Sequence, residues 1–181
     1  MEIRLNIDTA EYKEKPSAYA GAIRNRLCNE KSIRTVTPEL LIECVRRGRT
    51  FAPAEMTGTT GSTWQSQQVI CADIDNDTGE KDADGRKIRI KNPLTPEQAS
   101  EVMRNYGIDP YFMYYSFSNG ENWPKFRIVL ILDEVITDPG EAIDLANRFN
   151  GIFNAAAEHC ADTSSEDNAR YFFGGRSDSI F

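Results

Sequence analysis

Histidine is nearly missing from this chain: His159 is the only one in 181 residues. No Ser-His-Asp spacing and no G-x-S-x-G surround it, which sets aside a serine hydrolase. No G-x-x-x-x-G-K-[ST] occurs, so a P-loop ATPase is excluded too. His159 sits at a helix end beside Cys160, where an imidazolium suits the helix dipole, a structural role. The four cysteines, Cys28, Cys44, Cys71 and Cys160, are scattered without a C-x-x-C pair. That speaks against a zinc site and for reduced thiols in a cytoplasm. No apolar run approaches the roughly 18 residues of a membrane span, and the polar start MEIRLNIDTAEYKEK does not read as a signal peptide. Basic charge is also short: 21 Lys and Arg stand against 28 Asp and Glu, a net −7. Proteins that coat duplex DNA by charge alone are basic. An acidic total still allows a local basic groove, or a site built from metal-binding carboxylates.

What is present is enough apolar sequence, 40 % of residues, for one domain with a real core. MEIRLNI alternates like a strand. Pro16 to about Lys31 has helical spacing. Thr37-Pro38-Glu39 and Thr95-Pro96-Glu97 are two helix starts, each with a Thr N-cap and Pro in the first turn. Their helices are expected to stop at Gly48 and Gly107. Residues 50–66 read as loop and 67–75 as a strand. A charged loop follows to about Asn92, with room for a short hairpin near Asp84-Gly85. YFMYYSFS (111–118) and KFRIVLIL (125–132) read as an antiparallel hairpin around Asn119-Gly120-Glu121-Asn122. Gly140 to about His159 reads as a helix and ARYFFGG as a closing strand that Arg170 begins. The class is α+β around a mixed or antiparallel sheet.

Three stretches carry chemistry. In QVICADIDND a strand ends in Asp73 and Asp75, two residues apart and so on one face, about 6.5 Å apart. Paired carboxylates repel unless a cation lies between them. Mg²⁺ or Mn²⁺ suits such hard oxygen donors and usually arrives with phosphates. The alternatives are a solvated strand end or a calcium loop through Asp77. The calcium loop lacks Gly at its sixth position, where Thr78 stands, and Glu at its twelfth, where Asp84 stands. The second stretch is the hairpin, with Ser116 and Ser118 on one strand and Lys125 and Arg127 on one face of the next. Hydroxyls beside an Arg fork and a Lys point charge make a phosphate cradle, or else a solvated edge. The third is ADTSSEDNARYFFGG, where Asp162 or Asp167 is a candidate third ligand or a turn residue. Arg170 there can pair with acids or reach a phosphate. Acid pair, hydroxyls and cations together are the parts of a metal–triphosphate site.

That order of parts resembles the archaeo-eukaryotic primase superfamily, and most of all the primase–polymerase domains of phage and plasmid replication proteins. The hhhDhD strand, the S-x-S hairpin with P-K-F-R and the D…ARYFFGG ending carry the resemblance, along with GRTFAPAEMTG before the first motif. It runs from about Gly48 to the C-terminus. It implies an RRM-like catalytic sheet over about 67–181 flanked by helices, with an N-terminal α/β part over about 1–66. It also implies template-directed nucleotidyl transfer on single-stranded DNA. Asp73, Asp75 and Asp162 would hold two divalent ions, Mg²⁺ or Mn²⁺, about 4 Å apart. Ser116, Ser118, Asn119, Lys125 and Arg127 would meet the nucleoside triphosphate, with Arg170 at the rim, and Asp77 becomes ordinary loop charge. Asn119 stands where the family usually has His, and Asn neither carries positive charge nor moves a proton. The same residues leave two other readings: a catalytically weakened nucleotide- or DNA-binding module, and a metal-dependent nuclease. The resemblance further implies a fragment of a longer replication protein, with a helicase region or partner, in the cytoplasm of a bacterial host.

Overall fold

The structure, a computed structural model, describes residues 1–157, 160–162 and 169–181; His159 and Asp167 lie outside the described residues. In chain order the elements are β1 (Ile3–Ile7), α1 (Ala20–Leu27), β2 (Ile33–Val36), α2 (Pro38–Arg46), β3 (Phe51–Ala52), β4 (Ala54–Met56) and β5 (Trp64–Ile74). There follow β6 (Asp77–Lys81), β7 (Lys87–Arg89), α3 (Pro96–Asn105), β8 (Phe112–Ser116), β9 (Phe126–Ile136), α4 (Pro139–Ala156) and β10 (Gly175–Ile180). The strands form antiparallel sheets in the orders β2-β1-β3, β10-β8-β9-β5-β4 and β6-β7. This is the α+β class expected from the sequence. No helix among the described residues is long and apolar enough to cross a membrane.

The helix starts form as their residues dictate. Thr37 accepts the backbone N–H of Leu40, and Thr95 and Gln98 close a reciprocal capping box. Elsewhere the observed boundaries depart from expectation. Residues 50–66 contain β3, β4 and the start of β5 rather than loop. These strands are two and three residues long on either side of Pro53, too short to show a period. The segment Ala169–Gly174 contains no strand, only a bridge between Phe172 and Phe51, and the last strand begins at Gly175 rather than Arg170. The expected hairpin near Gly85 is present as β6 and β7.

Strand β5, paired between β9 and β4, is covered on both faces, which is why it reads as an almost unbroken apolar run. Ile70, Ala72 and Ile74 join a core with Ala99 and Met103 of α3 and with Phe149 and Phe153 of α4. Val69 and Cys71 point the other way, into a second core with Ile3, Leu5, Leu41, Val45, Phe51 and Phe172. Asp73 belongs to this second face by alternation.

The C-terminal segment is fastened to that second core by backbone. Phe51 and Phe172 exchange hydrogen bonds of 3.0 and 2.8 Å, and their rings stack at 5.8 Å. Gly174 permits that approach, and Gly48 permits a second one, by Tyr12. Gly48 has φ +77°, and a Cβ there would lie 1.9 Å from the carbonyl oxygen of Tyr12. A Cβ on Gly174 would lie 2.7 Å from the Arg49 oxygen. Both obstacles are main chain and cannot turn aside. Gly174→Ala is expected to lower stability by about 1–3 kcal/mol in urea unfolding. Gly151→Ala, in α4 with open space around it, should instead gain roughly 0.5–1 kcal/mol.

Candidate functional site

The acidic end of β5 meets the hairpin β8–β9 through strand register, which sets Asp73 opposite Arg127 and Tyr114 opposite Arg127 on the other side. Arg127 Nε donates to Asp73 Oδ1 at 3.1 Å, and Nη1 donates to the Phe173 carbonyl. The Tyr114 hydroxyl donates to that same carbonyl at 3.0 Å. Only 8 % of Arg127 is exposed. Burial works against its charge, but Asp73 and Tyr114 together outweigh this and keep the guanidinium above its ordinary pKa. Arg170 closes the group from the C-terminal segment, with Nη2 at 3.1 Å from Asp73 Oδ2 and 2.9 Å from Asp162 Oδ2. The Asp162 N–H donates to the Asp73 carbonyl at 2.9 Å. Residues 73, 127, 162 and 170 thus share one network.

A second network lies beside it. Lys125 Nζ is 3.2 Å from Asp75 Oδ1 and 3.6 Å from Asp77 Oδ2. Lys87 Nζ, from β7, reaches Asp77 at 2.6 Å and Asp75 at 3.1 Å. Burial alone would raise the Asp75 carboxyl, but the ammonium groups of Lys125 and Lys87 prevail and hold it below the usual value. The Trp123 ring lies between the Arg89 guanidinium, 4.6 Å from its centroid, and the Lys125 ammonium, 4.1 Å away. Its indole N–H donates to the carbonyls of Asp75 and Asn76.

Asn76 makes the turn between the two networks possible. Its φ is +52°, a conformation Asn tolerates better than most residues. Its buried amide donates to the Leu94 and Pro124 carbonyls and accepts from the Leu94 N–H. The hairpin turn and the start of α3 are thereby tied to the strand end.

Of the hairpin residues expected at the site, Ser116 ends β8 and is buried. Ser118 does not share a strand face with it; β8 stops at Ser116, and Ser118 is exposed in the turn. Asn119 holds the hairpin shut, its side-chain oxygen accepting the Lys125 N–H at 2.9 Å. A cavity of about 320 Å³ opens here, lined by Asp75, Asp77, Thr78, Gly79, Lys87, Ala161 and Asp162.

No protein-family model matches this sequence, and no curated protein does. A solved structure similar to it is the AEP domain of the primase-polymerase of cyanophage S-2L. The two are 14 % identical with a TM-score of 0.46, and the match covers 82 % of this chain and 71 % of that one. The similarity is distant.

Asp73, Asp75 and Asp162 offer the hard oxygen donors that Mg²⁺ or Mn²⁺ takes. Asp162 lies next to Asp73 through its backbone, and Asp75 and Asp162 line one cavity. The set fits a divalent ion in donor type. Among the described residues, no three acids surround a common point; Lys and Arg groups take the counter-charge position instead.

One acid and one cation escaped the sequence reading. Asp77 is not loop charge: its side chain is 6 % exposed and paired with two lysines. Lys87 lies in a charged stretch whose hairpin pairing sets it opposite Lys81, with Asp77 opposite Arg89. Alternation along so short a hairpin was the available signal, and it is faint.

The two networks should answer differently to mutation. Asp73→Asn leaves a buried guanidinium without its carboxylate and is expected to cost about 3 kcal/mol in urea unfolding. Lys87→Met, at a half-exposed ammonium, should cost no more than about 1 kcal/mol. Acid should also weaken the fold. Because Asp75 titrates lower folded than unfolded, its contribution is complete above about pH 4 and is lost as pH falls through the folded value. Asp75→Asn should flatten the stability profile of an acid titration in that range.

Proposed function

We propose that the chain is a template-directed nucleotidyltransferase, a primase–polymerase domain that joins nucleoside triphosphates on single-stranded DNA. One observation carries the reading: four segments spread from residue 73 to residue 170 converge at one sheet end. There Asp73, Arg127, Asp162 and Arg170 lie within 3.1 Å of a partner. These are the segments whose order in the sequence resembles the primase motifs, and packing alone does not require such charge at a strand end.

Asp73, Asp75 and Asp162 would hold Mg²⁺ or Mn²⁺, which in this chemistry lowers the pKa of an attacking 3′-hydroxyl and stabilises the leaving pyrophosphate. The chain's own contribution is positional and electrostatic. Lys125 is nearly buried against Trp123, and Arg127 is fixed by Asp73 and Phe173. Both hold positive charge in place before a triphosphate arrives, so little reorganisation accompanies binding. Ser116 sits beside Lys125 in the hairpin, its N–H donating to the Lys125 carbonyl at 2.9 Å. Arg170, at the edge of the network, would meet phosphate from the C-terminal side. A helicase region or partner would suit a domain with this role.

A second reading has its own support: a module that binds nucleotide or DNA and has lost turnover. Asn119, at the position where the family usually has His, spends its side-chain oxygen on the Lys125 N–H.

Primer synthesis and extension on single-stranded DNA with Mg²⁺ or Mn²⁺ test the first reading. Product is expected from the wild type, with loss of at least about a hundredfold in Asp73→Ala/Asp75→Ala. Activity surviving in that double variant would overturn it. Nucleotide binding without incorporation on any template selects the binding module, and shortening of the DNA selects a nuclease.

A further inference from the structure

The site carries four acids against four cations among the described residues: Asp73, Asp75, Asp77 and Asp162 against Lys87, Lys125, Arg127 and Arg170. The cavity beside them is lined by three of those acids and by a single one of the cations, Lys87. A polyphosphate entering an acid-lined cavity is repelled unless positive charge offsets the acids, and beside any divalent ion the chain itself can bring a cation to it. The cations differ in their freedom to move. Arg127 holds Asp73 and a backbone carbonyl in the interior, and its departure would strand a buried charge. The Lys125 side chain is 8 % exposed and packed on Trp123. The Lys87 side chain is 45 % exposed and ends in an ammonium with rotatable donors on a flexible stem.

Lys87 can also leave without orphaning its partners. Asp75 and Asp77 both keep Lys125 as a counter-charge. The element that carries it lies outside the main sheet: among the described residues β6 and β7 pair only with each other. Beyond Lys87 itself, Arg89 rests on Trp123, and just past the hairpin the Ile90 N–H donates to the Asn76 carbonyl.

We propose that Lys87 is a polyphosphate-binding residue delivered by the β6–β7 hairpin. Without ligand its ammonium rests between Asp75 and Asp77; with a nucleoside triphosphate in the cavity it transfers to the phosphate oxygens. This inference rests on the nucleotide reading of the site and extends it to a residue outside the motifs.

Calorimetric titration with dATP and with inorganic triphosphate, in Mg²⁺ buffer, tests it on the wild type, Lys87→Met and Lys87→Arg. Lys87→Met is expected to weaken both ligands about tenfold or more, and Lys87→Arg to recover most of the loss, since charge-assisted contacts to phosphate are strong. Thermal melting without ligand should change little in either variant. Hydrogen exchange of residues 77–89 in the wild type should change on adding dATP, a readout that does not depend on any variant folding. Equal affinity of wild type and Lys87→Met, or unchanged exchange in a wild type that binds dATP, would overturn the role of Lys87 and leave the nucleotide reading standing. A wild type that binds neither ligand overturns both.

Discussion

A permanent positive charge inside the protein is the constraint around which the candidate site is arranged. Arg127 cannot shed its proton, so a position 8 % exposed must supply it with an anion and hydrogen-bond acceptors. Asp73 supplies the first, and the Phe173 carbonyl the second. Those two groups are a hundred residues apart in the chain, and both must be in place before the charge is satisfied. Arg127 thus touches the strand end, the hairpin and the C-terminal segment at once, adding to the strand pairing that joins the first two, and Arg170 links Asp73 to Asp162 beside it.

The scaffold makes this affordable. Strand β5 is buried on both faces between α3 and α4 on one side and β1 and α2 on the other, so its end is packed against both cores. Gly48 and Gly174 allow two stretches of main chain to lie in contact, and that brings Phe173 to where Arg127 can reach it. The neighbouring lysine network is softer. Its charges sit on flexible stems, one of them on a hairpin outside the main sheet. Two largely buried arginines thus lie beside two lysines, of which Lys125 is packed on Trp123 and Lys87 is half-exposed.

Much of this was legible in the chain. Thr-Pro-Glu marked the starts of α2 and α3 because capping is local chemistry, and Thr37 and Thr95 cap as read. The hydrophobic run ending in Asp73 marked a strand with charge at its end. Alternation placed Lys125 and Arg127 apart from Phe126 and Ile128. Strands β3 and β4 were not legible, since each is held by partners far away rather than by its own pattern. Nor was the role of Asp77, whose burial depends on a lysine ten residues later folding back onto it.

The sequence by itself determined the α+β class, the two capped helices, the central strand and the inventory of acids and cations, because periodicity and capping act over a few residues. Tertiary structure decided who pairs with whom. It gave Asp73 to Arg127 and Arg170, and gave Asp75 to Lys125 and Lys87 together with the buried Asp77. It also turned Asn119 into the clasp of a hairpin. Those choices depend on strand register, on a left-handed turn at Asn76 and on close passage at two glycines. Each of these is a relation between distant segments, and no local pattern encodes it.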